Sequence, residues 1–268
     1  MKRRLWYNSW TEEYIEGLPV GNGRLAAMML GTPGKLRVAL NHEWMWRGES
    51  RFREHPDVSG HLPEIRQALL EGDFLKGTAL ANEYLGGLGG VSGKRGRVDP
   101  YVPVGDIWVE TDAGDAAGYK RTLDLDTGLA ETSFTAPSGK ISEKLFISCT
   151  NGCGAAEVTS EKPADFIVSL SRKEDTVCTV SLAAMEDGIL LKGAFNDGIK
   201  FEAAVRVETD GFVEITDGRI AVRGATRLTL LIQIVRMPKA VRPPMNLSGR
   251  TVSILHLCLP VMLNGLLP

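Results

Sequence analysis

Cysteine is scarce in these 268 residues, with four, at 149, 153, 178 and 258. That is too few for a disulfide framework in a chain of this length, so they read as ordinary reduced thiols. Cys149-Thr150-Asn151-Gly152-Cys153 has three intervening residues where a zinc ribbon has two, and no second Cys or His pair stands at zinc spacing. Histidine is equally sparse, at 42, 55, 61 and 256, and falls in no metal or triad motif. His42 adjoins Glu43, but neighbours along a strand point to opposite faces, so the pair does not form one acid/base unit. A Ser nucleophile elbow of the form G-x-S-x-G is absent. Nor is there an excess of charge: 31 basic against 33 acidic residues leave a formal net charge of -2. This removes the electrostatic case for nucleic acid or an anionic membrane surface.

Long apolar runs are also missing. Ser253 to Leu263 is apolar but includes Pro260, and it is too short to span a bilayer. Met1-Lys2-Arg3-Arg4 has the charge of a signal-peptide start, yet Trp6, Tyr7, Asn8 and Glu12-Glu13 stand where its apolar stretch belongs. The expected location is the cytoplasm. From Arg236 to Pro268 there is no Asp or Glu, and five of the chain's 13 prolines fall there. The segment follows neither helical nor strand periodicity, so residues 236–268 are expected to be an atypical tail, from a truncated or frame-shifted reading, beyond a domain spanning 1–235.

What is present centres on Gly17 to Gly48. Arg24 to Leu30 is an apolar run of one strand's length. Thr32-Pro33-Gly34-Lys35 supplies turn chemistry, and Lys35 to Leu40 alternates polar with apolar residues. Leu36, Val38 and Leu40 therefore share a buried face. Loops on both sides carry groups a plain hairpin does not need: Gly21-Asn22-Gly23 before it, and Asn41, Glu43, Trp44 and Trp46 after it. Leu5 to Trp10 reads as a first strand. From Ser59 the period changes: Leu62, Ile65 and Leu69 recur at helical spacing, Pro63 suits a first turn, and Gly72 then Asp73 read as a stop and a new N-cap. A second helix is expected from Phe74 to Leu85, followed by a glycine-rich loop from Gly86 to Pro100. After it strand follows strand, at Gly105–Thr111, Tyr119–Leu125, Leu129–Ala136, Lys140–Ser148, Phe166–Leu170, Val177–Leu182, Ile189–Leu191, Ile199–Val207 and Thr226–Val235. Asp210-Gly211 and Asp217-Gly218 read as hairpin turns. The pattern predicts an all-β fold, a large antiparallel β-sandwich (super-sandwich) with a short helical insertion near residues 59–85.

Two motifs admit more than one reading. Gly21-Asn22-Gly23-Arg24-Leu25-Ala26 fits the loose dinucleotide fingerprint, but Pro19 precedes it and the apolar run after it ends at Gly31-Thr32-Pro33-Gly34, which leaves no room for the required helix. A tight turn between strands is the alternative. Trp44 and Trp46 have flat faces that stack on sugar rings, and with Asn41 and Glu43 they would wall a carbohydrate site. Tryptophans beside a hairpin also serve as packing anchors. Glu43, Asp106 and Asp124 are single carboxylates that local spacing does not pair as acid and base.

The motifs LPVGNGRLAAMMLG, LN and WRG resemble the opening of glycoside hydrolase family 95, the α-L-fucosidases. Glu64-Ile65-Arg66, Tyr101-Val102-Pro103-Val104-Gly105-Asp106 and Tyr119-Lys120-Arg121-Thr122-Leu123-Asp124-Leu125 follow in the expected order. The resemblance covers about residues 4 to 235 and corresponds to that family's N-terminal β-sandwich domain. It implies cleavage of terminal α-linked fucose from an oligosaccharide by an inverting mechanism, with no organic cofactor. It also implies that the catalytic residues belong to a helical-barrel domain beyond this chain, against which the sandwich packs. Ala26 stands where the family favours Gly, and Trp44 and Arg47 where it favours small hydroxyl residues. A carbohydrate-binding module without chemistry of its own, or a purely structural interface domain, are the competing classes.

Overall fold

Period-two alternation dominates the architecture of the chain. The computed structural model describes residues 3–47, 57–86, 99–196, 198–216 and 218–237. The strands are β1 (Arg4–Tyr7), β2 (Leu18–Gly21), β3 (Leu25–Thr32), β4 (Lys35–His42), β5 (Gly105–Glu110), β6 (Ala117–Asp124), β7 (Leu129–Ala136) and β8 (Gly139–Ile147). They continue with β9 (Gly154–Ser171), β10 (Cys178–Met185), β11 (Gly188–Phe195), β12 (Lys200–Thr209), β13 (Phe212–Thr216) and β14 (Arg219–Met237). All pair antiparallel, as strands joined by short connections do.

The strands β9 and β14, at 18 and 19 residues, each belong to two layers. The first half of β9 pairs with β8 and with the second half of β14, while its second half pairs with β5 and with the first half of β14. One layer therefore runs β1-β6-β7-β8-β9-β14-β12-β11-β10 and the other β2-β3-β4-β5-β9-β14-β13. Register shifts between Val222, Ala225 and Arg227 let the long pair turn the corner. Asp165 closes that corner, its carboxylate accepting from the Gly224 amide at 2.8 Å and its carbonyl from the Thr111 hydroxyl. Between the layers lie Val38, Ile107, Ile141, Leu145, Val168, Ile189, Val205 and Ile232, all fully buried. Each aliphatic side chain removed from water there contributes roughly 1.5 to 3 kcal/mol.

The expected hairpin forms, pairing Leu25 with His42 through Thr32 with Lys35. The helical insertion is α1 (Leu62–Leu70) and α2 (Phe74–Tyr84). Pro63 sits in the first turn of α1, Gly72 takes φ +83°, and Asp73 caps α2 by accepting from the Lys76 amide at 3.0 Å. Three expectations need correction. Asp210-Gly211 is no hairpin turn, because β12 and β13 each pair with a different half of β14. Asp210 instead accepts from the amides of Thr226 and Arg227 and so fixes a crossing between layers. The stretch before Phe166 is strand from Gly154 onward, where small side chains carry little periodic signal. The expected strand from Thr226 starts at Arg219 and runs to Met237. Most of the glycine-rich loop, at 87–98, and the tail at 238–268 lie outside the described residues. Among the described residues no helix is long and apolar enough to cross a membrane.

Candidate functional site

Opposite the closed corner, loops from both layers meet at the open end, and a series of bonds links them in order. The Asn22 side-chain amide donates to the Ser148 carbonyl at 2.8 Å, and Arg24 pairs with Glu43 at 3.4 Å. The Arg47 amide donates to the Pro100 carbonyl at 2.9 Å, Arg172 Nε donates to the Pro103 carbonyl at 3.3 Å, and the Asn196 amide donates to the Val177 carbonyl at 3.0 Å. Six loop segments are thereby held as one surface. Gly21 to Ala26 is the tight turn, not a nucleotide loop: Asn22 Oδ1 accepts from the amides of both Arg24 and Leu25, and Gly23 takes φ +88°.

The loop after β4 turns on Met45. Its side chain is fully buried, whereas Trp44 and Trp46 on either side are 55% and 51% exposed. Trp46 forms an antiparallel bridge with Tyr101, their rings 5.2 Å apart and tilted by 56°. Tyr101 donates from its hydroxyl to the His42 carbonyl at 3.0 Å. Burial, then the neighbouring Tyr14, pushes the Tyr101 phenol up from its ordinary value, so it remains a donor. Glu43 accepts from Trp44 Nε1 at 2.6 Å and faces Arg24, which fixes the indole edge-on. Asn41 donates to the Tyr14 hydroxyl at 2.9 Å.

The four residues singled out by sequence thus fall into three contacts: Glu43 with Trp44, Asn41 with Tyr14, and Trp46 with Tyr101. His42 Nδ1 accepts from the Trp44 amide and does not meet the Glu43 carboxylate through that bond. The remaining single carboxylates are engaged elsewhere. Asp106 pairs with Arg37 at 2.9 Å, and Asp124 accepts from the amides of Asp126 and Thr127 and pairs with Arg4. The Asp126 amide, then Arg4, holds the Asp124 carboxyl below the usual range. An inverting glycosidase needs an acid and a separate base facing each other across the sugar. Glu43 is instead tied to the Arg24 guanidinium and to the indole N–H of Trp44. Among the described residues no three His, Cys, Asp or Glu side chains gather as a metal site.

The family model described as glycosyl hydrolase family 65, N-terminal domain, matches residues 5–235. The chain belongs to this family. Its number differs from the 95 suggested by the motifs, while the curated relatives carry the fucosidase name. The chain is 25% identical over 172 residues to Alpha-L-fucosidase 2 of Arabidopsis thaliana, covering 63% of this chain and 19% of that protein. It is 23% identical over 230 residues to Probable alpha-fucosidase A of Aspergillus oryzae, covering 81% and 31%, and 26% identical over 225 residues to the protein of that name from Aspergillus niger, covering 80% and 27%. The chain therefore spans between about a fifth and a third of these relatives. Among solved structures, a putative kojibiose phosphorylase from human microbiome superposes with a TM-score of 0.51 at 12% identity, over 94% of this chain and 34% of that one. That likeness concerns the fold.

Residues 5–235 are thus a family 65-type N-terminal domain whose curated relatives carry fucosidase names. Three members of its open end escaped sequence reasoning: Tyr14, Tyr101 and Arg172. Tyr101 lies within the YVPVGD motif, which was its only local signal. Tyr14 and Arg172 reach the site through bonds across 27 and 69 positions of sequence, to Asn41 and Pro103.

Proposed function

We propose that the open end binds the sugar chain of a fucosylated oligosaccharide, in the service of α-fucoside hydrolysis carried out by a helical-barrel domain against which this sandwich packs. The domain contributes binding and orientation and no catalytic carboxylate. The observation that carries this reading is the outward pair Trp44 and Trp46, anchored by buried Met45 and braced by Glu43 and Tyr101. Flat indole faces left in water lose exposed apolar surface when a sugar ring stacks on them. Membership of a glycoside hydrolase domain family and the fucosidase names of the curated relatives support the choice of ligand. For the packing partner, the support is the helical insertion between β4 and β5, which springs from the same end. It leaves Leu70 and Leu75 at 85% and 88% exposure and Phe74 exposed beside them.

A titration of intrinsic tryptophan fluorescence with a fucosyllactose trisaccharide tests the binding half. The expected result is saturable quenching that is lost in Trp44→Ala/Trp46→Ala, with the circular dichroism spectrum unchanged. Equal affinity of the double variant, read by calorimetry, contradicts it.

A further inference from the structure

Beyond the aromatic wall, the loop after β9 and the start of β10 form an open pocket of about 550 Å³, lined by Arg172, Lys173, Glu174, Asp175, Cys178 and Val180 among others. This lies within the ~300 to 1,000 Å³ of small-molecule sites. Its floor is rigid. The Arg172 side chain is only 3% exposed, its guanidinium lies 5.0 Å over the Phe195 ring and 6.0 Å over Phe201, and it donates to the carbonyls of Pro103 and Lys173 and to Asp175 at 3.5 Å. Asp175 is fixed in turn by accepting from the Val177 amide at 3.2 Å. Arg47, the residue after Trp46, lies 5.3 Å over the same Phe195 ring. The stack Arg47, Phe195, Arg172 therefore joins the tryptophan wall to the cavity.

We propose that this cavity is a second sugar subsite, taking a neutral pyranose of the same oligosaccharide whose neighbouring unit stacks on Trp46. The proposal rests on the sugar-binding reading of the open end and adds where the chain of sugars continues. The lining determines the ligand class. Two cations and two carboxylates face one space, so their charges cancel: an anion meets Glu174 and Asp175, and a cation meets Arg172 and Lys173. A polyol suits both, because each hydroxyl donates to a carboxylate and accepts from an ammonium or guanidinium. Val180, partly exposed in the same lining, offers an apolar patch for a ring's C–H face.

Cys178 supplies a local readout. It is a free thiol in the lining, while Cys149, the other free thiol among the described residues, lies outside it. Burial pushes the Cys178 thiol up, so the whole chain is alkylated with iodoacetamide at alkaline pH and both cysteines are followed by peptide mass spectrometry. With fucosyllactose at about twice its Kd, occupancy slows modification of Cys178 about threefold and leaves Cys149 unchanged. The variant Lys173→Ala/Glu174→Ala, which alters exposed lining residues, loses this protection while keeping the tryptophan quenching. Quenching without protection of Cys178 in the unaltered chain overturns the subsite and leaves the aromatic wall standing. Protection by glycerol equal to that by the trisaccharide also overturns it. If neither quenching nor protection occurs, the sugar-binding reading falls with it.

Discussion

Glu143 shows what the space between the layers imposes on a single side chain. Arg121 on β6, Thr132 on β7 and Glu143 on β8 are cross-strand partners in one row, and all three are buried. Arg121 does not neutralise the carboxyl. Its guanidinium donates to the carbonyls of Ser9 and Glu16 and lies 4.4 Å over the Tyr7 ring, which ties β1 and the turn at Tyr14–Glu16 to the sandwich. Burial accordingly pushes the Glu143 carboxyl up to about 8 from 4.5, and Tyr119, partly buried near it, up to about 12. Between about pH 4.5 and 8 the folded protein keeps a proton that the unfolded chain releases, so stability falls as pH rises through that window, by roughly 1.4 kcal/mol per pH unit. Glu143→Gln, uncharged and of like shape, should flatten this fall and raise stability at pH 7 by about 3 kcal/mol, measured by urea unfolding at pH 5, 6, 7 and 8. Parallel pH profiles for the two proteins would show that Glu143 titrates normally.

At the level of elements, the hairpin β3-β4 depends on Gly34, with φ +76°. A Cβ there would meet Ala113 Cβ and the Thr111 carbonyl oxygen, each at 2.6 Å. Gly34→Val combines left-handed strain with that collision and should cost about 2 kcal/mol or more. Gly128 has φ +69° and nothing within 4 Å, so Gly128→Ala isolates the strain and should cost about 1 kcal/mol. Equal losses for Gly34→Ala and Gly128→Ala, by thermal or urea unfolding, would remove the collision from the account. This hairpin and the helical insertion were legible because their signals are local: Pro33-Gly34, then Pro63, Gly72 and Asp73. The double membership of β9 and β14 was not, because layer exchange depends on partners such as Asp165 with Gly224, far apart in sequence. The same applies to the site. Trp44 and Trp46 stood out beside the hairpin, but their bracing by Tyr101 and the cavity behind Arg172 arise only when loops from both layers converge.

For the molecule as a whole, the closed corner and the open end divide the work. One end joins the layers through two long strands, and the other gathers six loop segments, an aromatic wall and an insertion with apolar side chains in solvent. On the function proposed above, this arrangement suits a domain that presents sugar and a docking surface to a neighbour. On the proposed function, the chain binds the oligosaccharide without cleaving it. Incubating the purified chain with fucosyllactose at concentrations that saturate the fluorescence change, and quantifying free fucose by chromatography, tests it directly. The account predicts no release above a protein-free blank. Release that disappears on Glu43→Gln would place the active site on this sandwich and contradict it.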